Sequence, residues 1–228
     1  MILIPVKNLA NAKQRLGDVL DQSTRTELAH AMLGDVLQAV VEYAREDVSL
    51  VTSDPYALEQ ASRHGFEIIP DTANSSETDA IEMATRVCVS RGVARTLVIP
   101  GDIPLIEADD LATIFEHAPV NGSLLVPASD KRGTNAVLRS PSDLFPLRFG
   151  NDSFQPHLQA AIATDTSCVV LSLPRIALDV DNVQDLRDLA AHPGQKGSQA
   201  LARKLGFGSL VPATMATSGS TRITAVEP

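Results

Sequence analysis

The chain has 228 residues, enough for one large α/β domain or two small ones. Its formal net charge of −9 excludes non-specific binding along a nucleic-acid backbone, which needs a basic surface. With no Trp and 4% aromatic residues, the core must come from Val, Leu, Ile and Ala, the usage of parallel strands covered by helices.

The N-terminal "MILIPV" reads as a short buried strand, too brief for a leader or a membrane span. A polar, basic loop, "KNLANAKQRLGDVL", follows it. The spacing of Leu28, Met32, Val36 and Val40 predicts a helix over 24–44, opened by Thr24 and Glu27 in capping-box spacing. "VSLVTS" is a second strand, and "PYALEQASRHG" a second helix closed by Gly65. "FEIIP" is a third strand, "SETDAIEMATRVCVSRG" a third helix and "RTLVIPGD" a fourth strand. This alternation predicts an α/β fold with a parallel sheet and helices on both faces.

The second half is less regular. Helices are expected over 109–118, 152–163 and 182–192, with a short last one within 195–206. Strands are expected in "GSLLVPAS", "TNAVLRS" and "SCVVLSLP". No repeat or second core is visible, so residues 1–209 read as one domain. Residues 210–228, rich in Ser and Thr, read as a disordered tail. Cys88 and Cys168 have no C-x-x-C partner and read as reduced thiols of a cytoplasmic protein.

Ligands of parallel sheets bind beyond the carboxyl ends of the strands. Asp102, in "VIPGDIPLI", is expected at such an end, either as a turn former or as a functional acid. In "ALDVDN", Asp179 and Asp181 are two residues apart in an extended stretch and face the same way. Asn182 and Asp185 look like a helix cap, which accounts for Asp181 but not for Asp179. Three carboxylates at strand ends suit Mg²⁺, a hard ion that takes oxygen ligands, and the lack of a His/Cys cluster argues against zinc. Lys7, Lys13 and Arg15, just after the first strand, form a pattern suited to phosphates, although no P-loop is present. "KRGTN" and "RFGNDSFQPH" read either as anion cradles or as plain turns, with Ser153 as a helix cap.

In order along the chain, "AKQRL", "PGDIPL", "GTN", "FGNDSFQPH" and "LDVDN" resemble the 2-phospho-L-lactate/phosphoenolpyruvate guanylyltransferases of coenzyme F420 biosynthesis. The resemblance spans Met1 to about Leu189. It implies a single-domain, Rossmann-like, GT-A-like nucleotidyltransferase with a mostly parallel central sheet. It implies that GTP and a small phospho-carboxylic acid are the substrates and that Mg²⁺ is held by Asp102, Asp179 and Asp181. Thr134, Gly150 and Ser153 would hold the acceptor, and Lys13, with Lys7 and Arg15, the triphosphate. It also implies a homodimer, while the acidic charge and the lack of an apolar window of ~18 residues leave neither nucleic acid nor membrane as an expected partner. Relatives commonly carry Gly-Leu-Asn-x-Ala after the third strand, where this chain has "SSETDAIEMA". Alternatives are therefore a 3-phosphoglycerate acceptor, CTP or UTP with a sugar or alcohol phosphate, or a non-catalytic nucleotide-binding regulator.

Overall fold

The computed structural model describes residues 1–72 and 76–208; the expected tail and domain end lie outside the described residues. The strands are β1 (Ile2–Val6), β2 (Val48–Thr52), β3 (Glu67–Ile69), β4 (Thr96–Val98), β5 (Gly122–Pro127), β6 (Thr134–Ser140) and β7 (Ser167–Val170). The helices are α1 (Gln22–Tyr43), α2 (Pro55–His64), α3 (Glu77–Ser90), α4 (Ala108–His117), α5 (Phe154–Ile162), α6 (Pro174–Ala177), α7 (Val183–Ala191) and α8 (Gly197–Lys204).

All seven strands form one sheet in the order β3-β2-β1-β4-β6-β5-β7. β1 pairs in parallel with β2 on one side and β4 on the other, so the chain order reverses between them. That reversal opens a crevice at the carboxyl ends of β1 and β4. β6 is antiparallel to both β4 and β5. Because it runs the other way, its first residue, Thr134, arrives at the rim where β4 ends.

The period of two along β1 divides the core. Ile2, Ile4 and Val6 face a cluster with Leu33 and Leu37 of α1, Ala57 of α2 and Leu111 of α4. Leu3 faces the opposite cluster with Ile81 and Ala84 of α3 and Phe154 of α5. A third cluster joins Leu28 and Met32 of α1 to Leu105, Val180, Leu186 and Leu201. Each fully buried Leu or Ile in these layers contributes roughly 1.5–3 kcal/mol.

Three local expectations are corrected. α1 begins at Gln22, not Thr24: Asp21 caps it, its carboxylate accepting from the Thr24 amide at 2.8 Å. An ionised acid makes a stronger cap than a Thr hydroxyl, and it claims that amide first. β7 ends at Val170, because Pro174, at the first turn of α6, starts a helical turn instead. The loop after β1 is two short 3₁₀ turns, Leu9–Asn11 and Gln14–Leu16. Gly65 does close α2, at φ 68°, a conformation that side chains with a Cβ disfavour. No helix among the described residues is long and apolar enough to cross a membrane.

Candidate active site

The rim is assembled from segments far apart in the chain, brought together by the sheet. The turn after β1 delivers Lys13, held at φ 55°, ψ 42°. The segment after β4 delivers Asp102, whose carbonyl accepts from the Val180 amide at 3.2 Å. That bond ties the Asp102 turn to the "LDVDN" stretch. Val180 is fully buried in the third cluster, so its neighbours Asp179 and Asp181 both turn to the crevice.

At the centre is an ammonium between two carboxylates. Lys13 Nζ donates to Asp102 Oδ2 at 2.6 Å and to Asp181 Oδ1 at 3.0 Å. Arg15 reaches Asp181 Oδ2 at 3.3 Å from a more exposed position. Burial opposes the charge on Lys13, but Asp102 and then Asp181 outweigh it and hold the ammonium above its usual pKa. Asp179 stands beside them, its Oδ1 accepting from Asn135 Nδ2 at 3.0 Å. Burial raises its pKa, the Asn135 bond opposes the rise, and the charges of Asp102 and Asp181 add to it.

Two adjoining hollows meet at this centre. The first, about 510 Å³, is polar and is lined by Thr134, Gly150, Ser153 and Asp179. The second, about 490 Å³, has an apolar wall of Leu9, Ala29, Met32 and Leu33, with Lys7 and Lys13 at its edge. Arg15, Glu77, Asp102 and Asp181 line both. Every site residue singled out from sequence thus faces one hollow or the other.

The details depart from expectation in three ways. Lys7 Nζ pairs with the buried Asp71 at 3.3 Å. Ser153 precedes α5 but makes no side-chain cap; its Oγ accepts from the Thr134 amide at 3.0 Å and thereby holds the start of β6. Among the described residues, no three His, Cys, Asp or Glu side chains already stand as a metal cluster. The donors nonetheless have the right chemistry for a hard divalent cation: they are all carboxylate oxygens, and two of them already share one cation, the Lys13 ammonium.

A family model described as guanylyl transferase CofC-like matches residues 1–223. The chain belongs to the CofC-like guanylyl transferase family. It is 35% identical to a phosphoenolpyruvate guanylyltransferase of Roseiflexus castenholzii, over 89% of this chain and 93% of that one. It is 32% identical to a 2-phospho-L-lactate guanylyltransferase of Methanothermobacter thermautotrophicus, over 90% of each. It is 31% identical to a 3-phospho-D-glycerate guanylyltransferase of Colwellia psychrerythraea, over 83% of this chain and 90% of that one. Among solved structures it superimposes on a protein of Desulfovibrio desulfuricans G20 described as a nucleotide-diphospho-sugar transferase. The TM-score is 0.70 at 20% identity, covering 89% and 93% of the two chains. A Mycobacterium tuberculosis H37Rv structure described as a manganese complex also matches, with a TM-score of 0.52 at 16% identity, covering 82% and 95%. At these identities the solved structures establish the shared fold.

In this CofC-like chain the least expected site residue is Glu77, in the first turn of α3. From sequence it reads only as an acid favoured at a helix N-terminus. In the fold its half-buried carboxyl has a pKa pushed up to about 7, by desolvation first and then by Asp102, against Lys7 and Lys13. The shift has a definite sign. Above pH 7 the folded chain must hold this charge at a cost; as pH falls through 7 it takes up a proton and the cost fades. Below 4.5 the unfolded chain is protonated as well and no difference remains. Glu77→Gln is therefore expected to stabilise the protein by about 1–2 kcal/mol at pH 8 in chelator, and by nothing at pH 4. Thermal melts of the two proteins across that range check this.

The polar hollow also has a braced wall that the sequence does not reveal. Arg132 forks onto Asp152, with Nη2 to Oδ2 at 3.1 Å, and the Phe154 amide donates to the Arg132 carbonyl at 2.8 Å. Asn135 Nδ2 shares its two hydrogens among Asp179 and the carbonyls of Ile176 and Ala177, at 3.0 and 3.2 Å from those carbonyls, pinning the Asp179 loop to β6.

Proposed function

We propose that this protein transfers GMP from GTP to the phosphate of a small phosphorylated carboxylic acid, with release of pyrophosphate. The observation that carries this reading is Lys13 held between Asp102 and Asp181, at the point where a polar hollow and an apolar-walled hollow meet. Two anionic substrates must approach each other there, and charge neutralisation is most of the work in such a reaction.

In this reading an oxygen of the acceptor phosphate forms a bond to the α-phosphorus of GTP, and the bond from that phosphorus to the bridging oxygen of pyrophosphate breaks. The apolar wall of Leu9, Met32 and Leu33 takes the nucleoside, and Lys7, Lys13 and Arg15 take the triphosphate. The polar hollow takes the acceptor through Thr134, Gly150 and Ser153. Gly150, at φ 121°, has open space where a Cβ would stand, so backbone faces the hollow there. Asp102, Asp179 and Asp181 are the groups that would hold a divalent cation, Mg²⁺ in our reading. When bound, such an ion polarises phosphoryl oxygens and offsets charge on the leaving group.

Phosphoenolpyruvate is the first choice of acceptor, since relatives named for it reach 35% and 36% identity, against 32% for the one named for 2-phospho-L-lactate. The relative named for 3-phospho-D-glycerate keeps that acid as a second reading. These acids differ by a double bond, a methyl or a hydroxyl, differences a pocket separates by only a few kcal/mol. In the same reading the product is an F420 precursor, and the enzyme is a cytoplasmic homodimer. A pyrophosphate-release assay crossing GTP, ATP, CTP and UTP with the three phospho-acids, with and without Mg²⁺, tests the reading. The expected result is Mg²⁺-dependent release with GTP and phosphoenolpyruvate. Release only with CTP or UTP and a sugar phosphate, or nucleotide binding without release, would overturn it.

A further inference from the structure

Behind the polar hollow, His157 of α5 is fully buried and touches two groups that fix its ring state. Its Nε2 faces the backbone amide of Arg148 at 2.8 Å. A backbone N–H can only donate, so Nε2 must carry a lone pair. Burial first, and the charge of Arg139 second, pull the pKa of the ring down to about 4, so at neutral pH it carries one proton. That proton is then on Nδ1, which lies 3.0 Å from Thr134 Oγ1. The edge of the ring also packs against Phe149, with centroids 5.1 Å apart, which resists rotation.

The consequence follows from counting hydrogens. Thr134 and Ser153 bring two hydroxyl hydrogens, and their oxygens are 3.3 Å apart. One hydrogen is used between them. Were Nδ1 an acceptor, the second would go to the ring and none would be left. With Nδ1–H donating to Thr134, the second hydrogen is free, and both residues line the hollow.

We infer that His157 is a positioning residue: its Nδ1–H tautomer, set by the Arg148 amide, turns the Thr134–Ser153 pair into a hydrogen-bond donor toward an oxyanion of the phospho-acid. This rests on the acceptor assignment above. His157 itself does not touch substrate, and the Nδ1 proton stays on the ring.

Two measurements test the inference, and they fail separately. The first is ¹⁵N NMR of the His157 ring in the wild-type protein. The expected spectrum shows a protonated Nδ1 and a bare Nε2, unchanged from pH 8 to pH 5.5. A protonated Nε2, or a ring that titrates near 6.5, overturns the inference whatever the protein catalyses. The second is steady-state kinetics of His157→Leu and His157→Asn. Without the Nδ1–H nothing occupies the Thr134 lone pair on the α5 side, so its hydroxyl is no longer fixed toward the hollow. A hydrogen bond from a neutral donor to a charged group is worth enough that its loss costs roughly tenfold or more in affinity. His157→Leu should therefore raise KM for phosphoenolpyruvate at least ~10-fold and leave KM for GTP within about twofold. His157→Asn, whose amide can still donate to Thr134, should recover most of that loss. Equal KM values for phosphoenolpyruvate in wild type and a folded His157→Leu overturn the inference, as does a His157→Asn protein no better than His157→Leu. If His157→Leu fails to fold, the ring spectrum alone decides. If wild-type protein turns over no phospho-acid, the acceptor assignment falls, while the ring spectrum still decides the tautomer.

Discussion

Asp102→Asn is expected to slow guanylyl transfer by at least ~100-fold while leaving the fold intact. The substitution keeps size and shape, and the Asp102 carbonyl still accepts from the Val180 amide, so the two acidic segments stay joined. What is lost is one negative charge beside Lys13, at the point where the proposed reaction brings the substrate phosphates together. Removing a single preorganised electrostatic contact of this kind commonly costs 10²–10³ in rate. Asp181 still pairs with the 7%-exposed Lys13, so the fold is kept, with some loss of stability because that ammonium loses the charge of its nearer partner. Turnover and thermal melting measured on one preparation separate the two effects. A rate within fivefold of wild type would remove Asp102 from the machinery.

Lys13→Met is expected to reduce kcat/KM by at least ~100-fold, chiefly by exposing Asp102 and Asp181 to each other. Lys13 is 7% exposed, and both carboxylates lie within 3.0 Å of its Nζ. Without it, two like charges face an incoming triphosphate with only Arg15 nearby, itself 66% exposed and screened by solvent. Methionine, unbranched and nearly as long as lysine but uncharged, fills most of the space and tests charge rather than volume. Because Lys13 and Asp102 share one contact, their effects should not add. The double variant should be no more than about tenfold worse than the weaker of the two singles. Full additivity, near the product of the two losses, would mean that the residues act at separate points. The comparison needs only kcat/KM for wild type, the two singles and the double.

How much of this was legible in advance depended on whether the signal was local. Asp179 and Asp181 could be read because a two-residue spacing in extended chain, with apolar Val180 between them, fixes both side chains on one side. The placement of Asp102 followed from the strand–helix alternation, which puts the end of the fourth strand at the ligand rim. Asn182 with Asp185 was visible as a cap and is one, the Asn182 side chain accepting from the Gln184 and Asp185 amides. Glu77 was hidden because an acid in the first turn of a helix has an ordinary explanation, and its unusual environment comes from Asp102, which is distant in sequence. The Lys7–Asp71 pair was hidden because nothing local shows that Asp71, beyond β3, lies beside Lys7. The same limit applied to Lys13: its bridge joins positions 13, 102 and 181, and only the folded sheet brings them within hydrogen-bond distance. His157 sits in a motif that could be quoted, but its work is done by a backbone amide, which leaves no mark on the sequence.

In the proposed function Lys13, Asp102, Asp179 and Asp181 form one charged centre for both substrates and a divalent cation. Diffraction from crystals grown with GTP and Mn²⁺, measured at the manganese edge, tests it most directly. The expected map shows an anomalous peak within coordination distance of carboxylate oxygens from Asp102 and at least one of Asp179 and Asp181, with the triphosphate against Lys13. A peak elsewhere on the molecule, or GTP bound away from the two hollows, would contradict it.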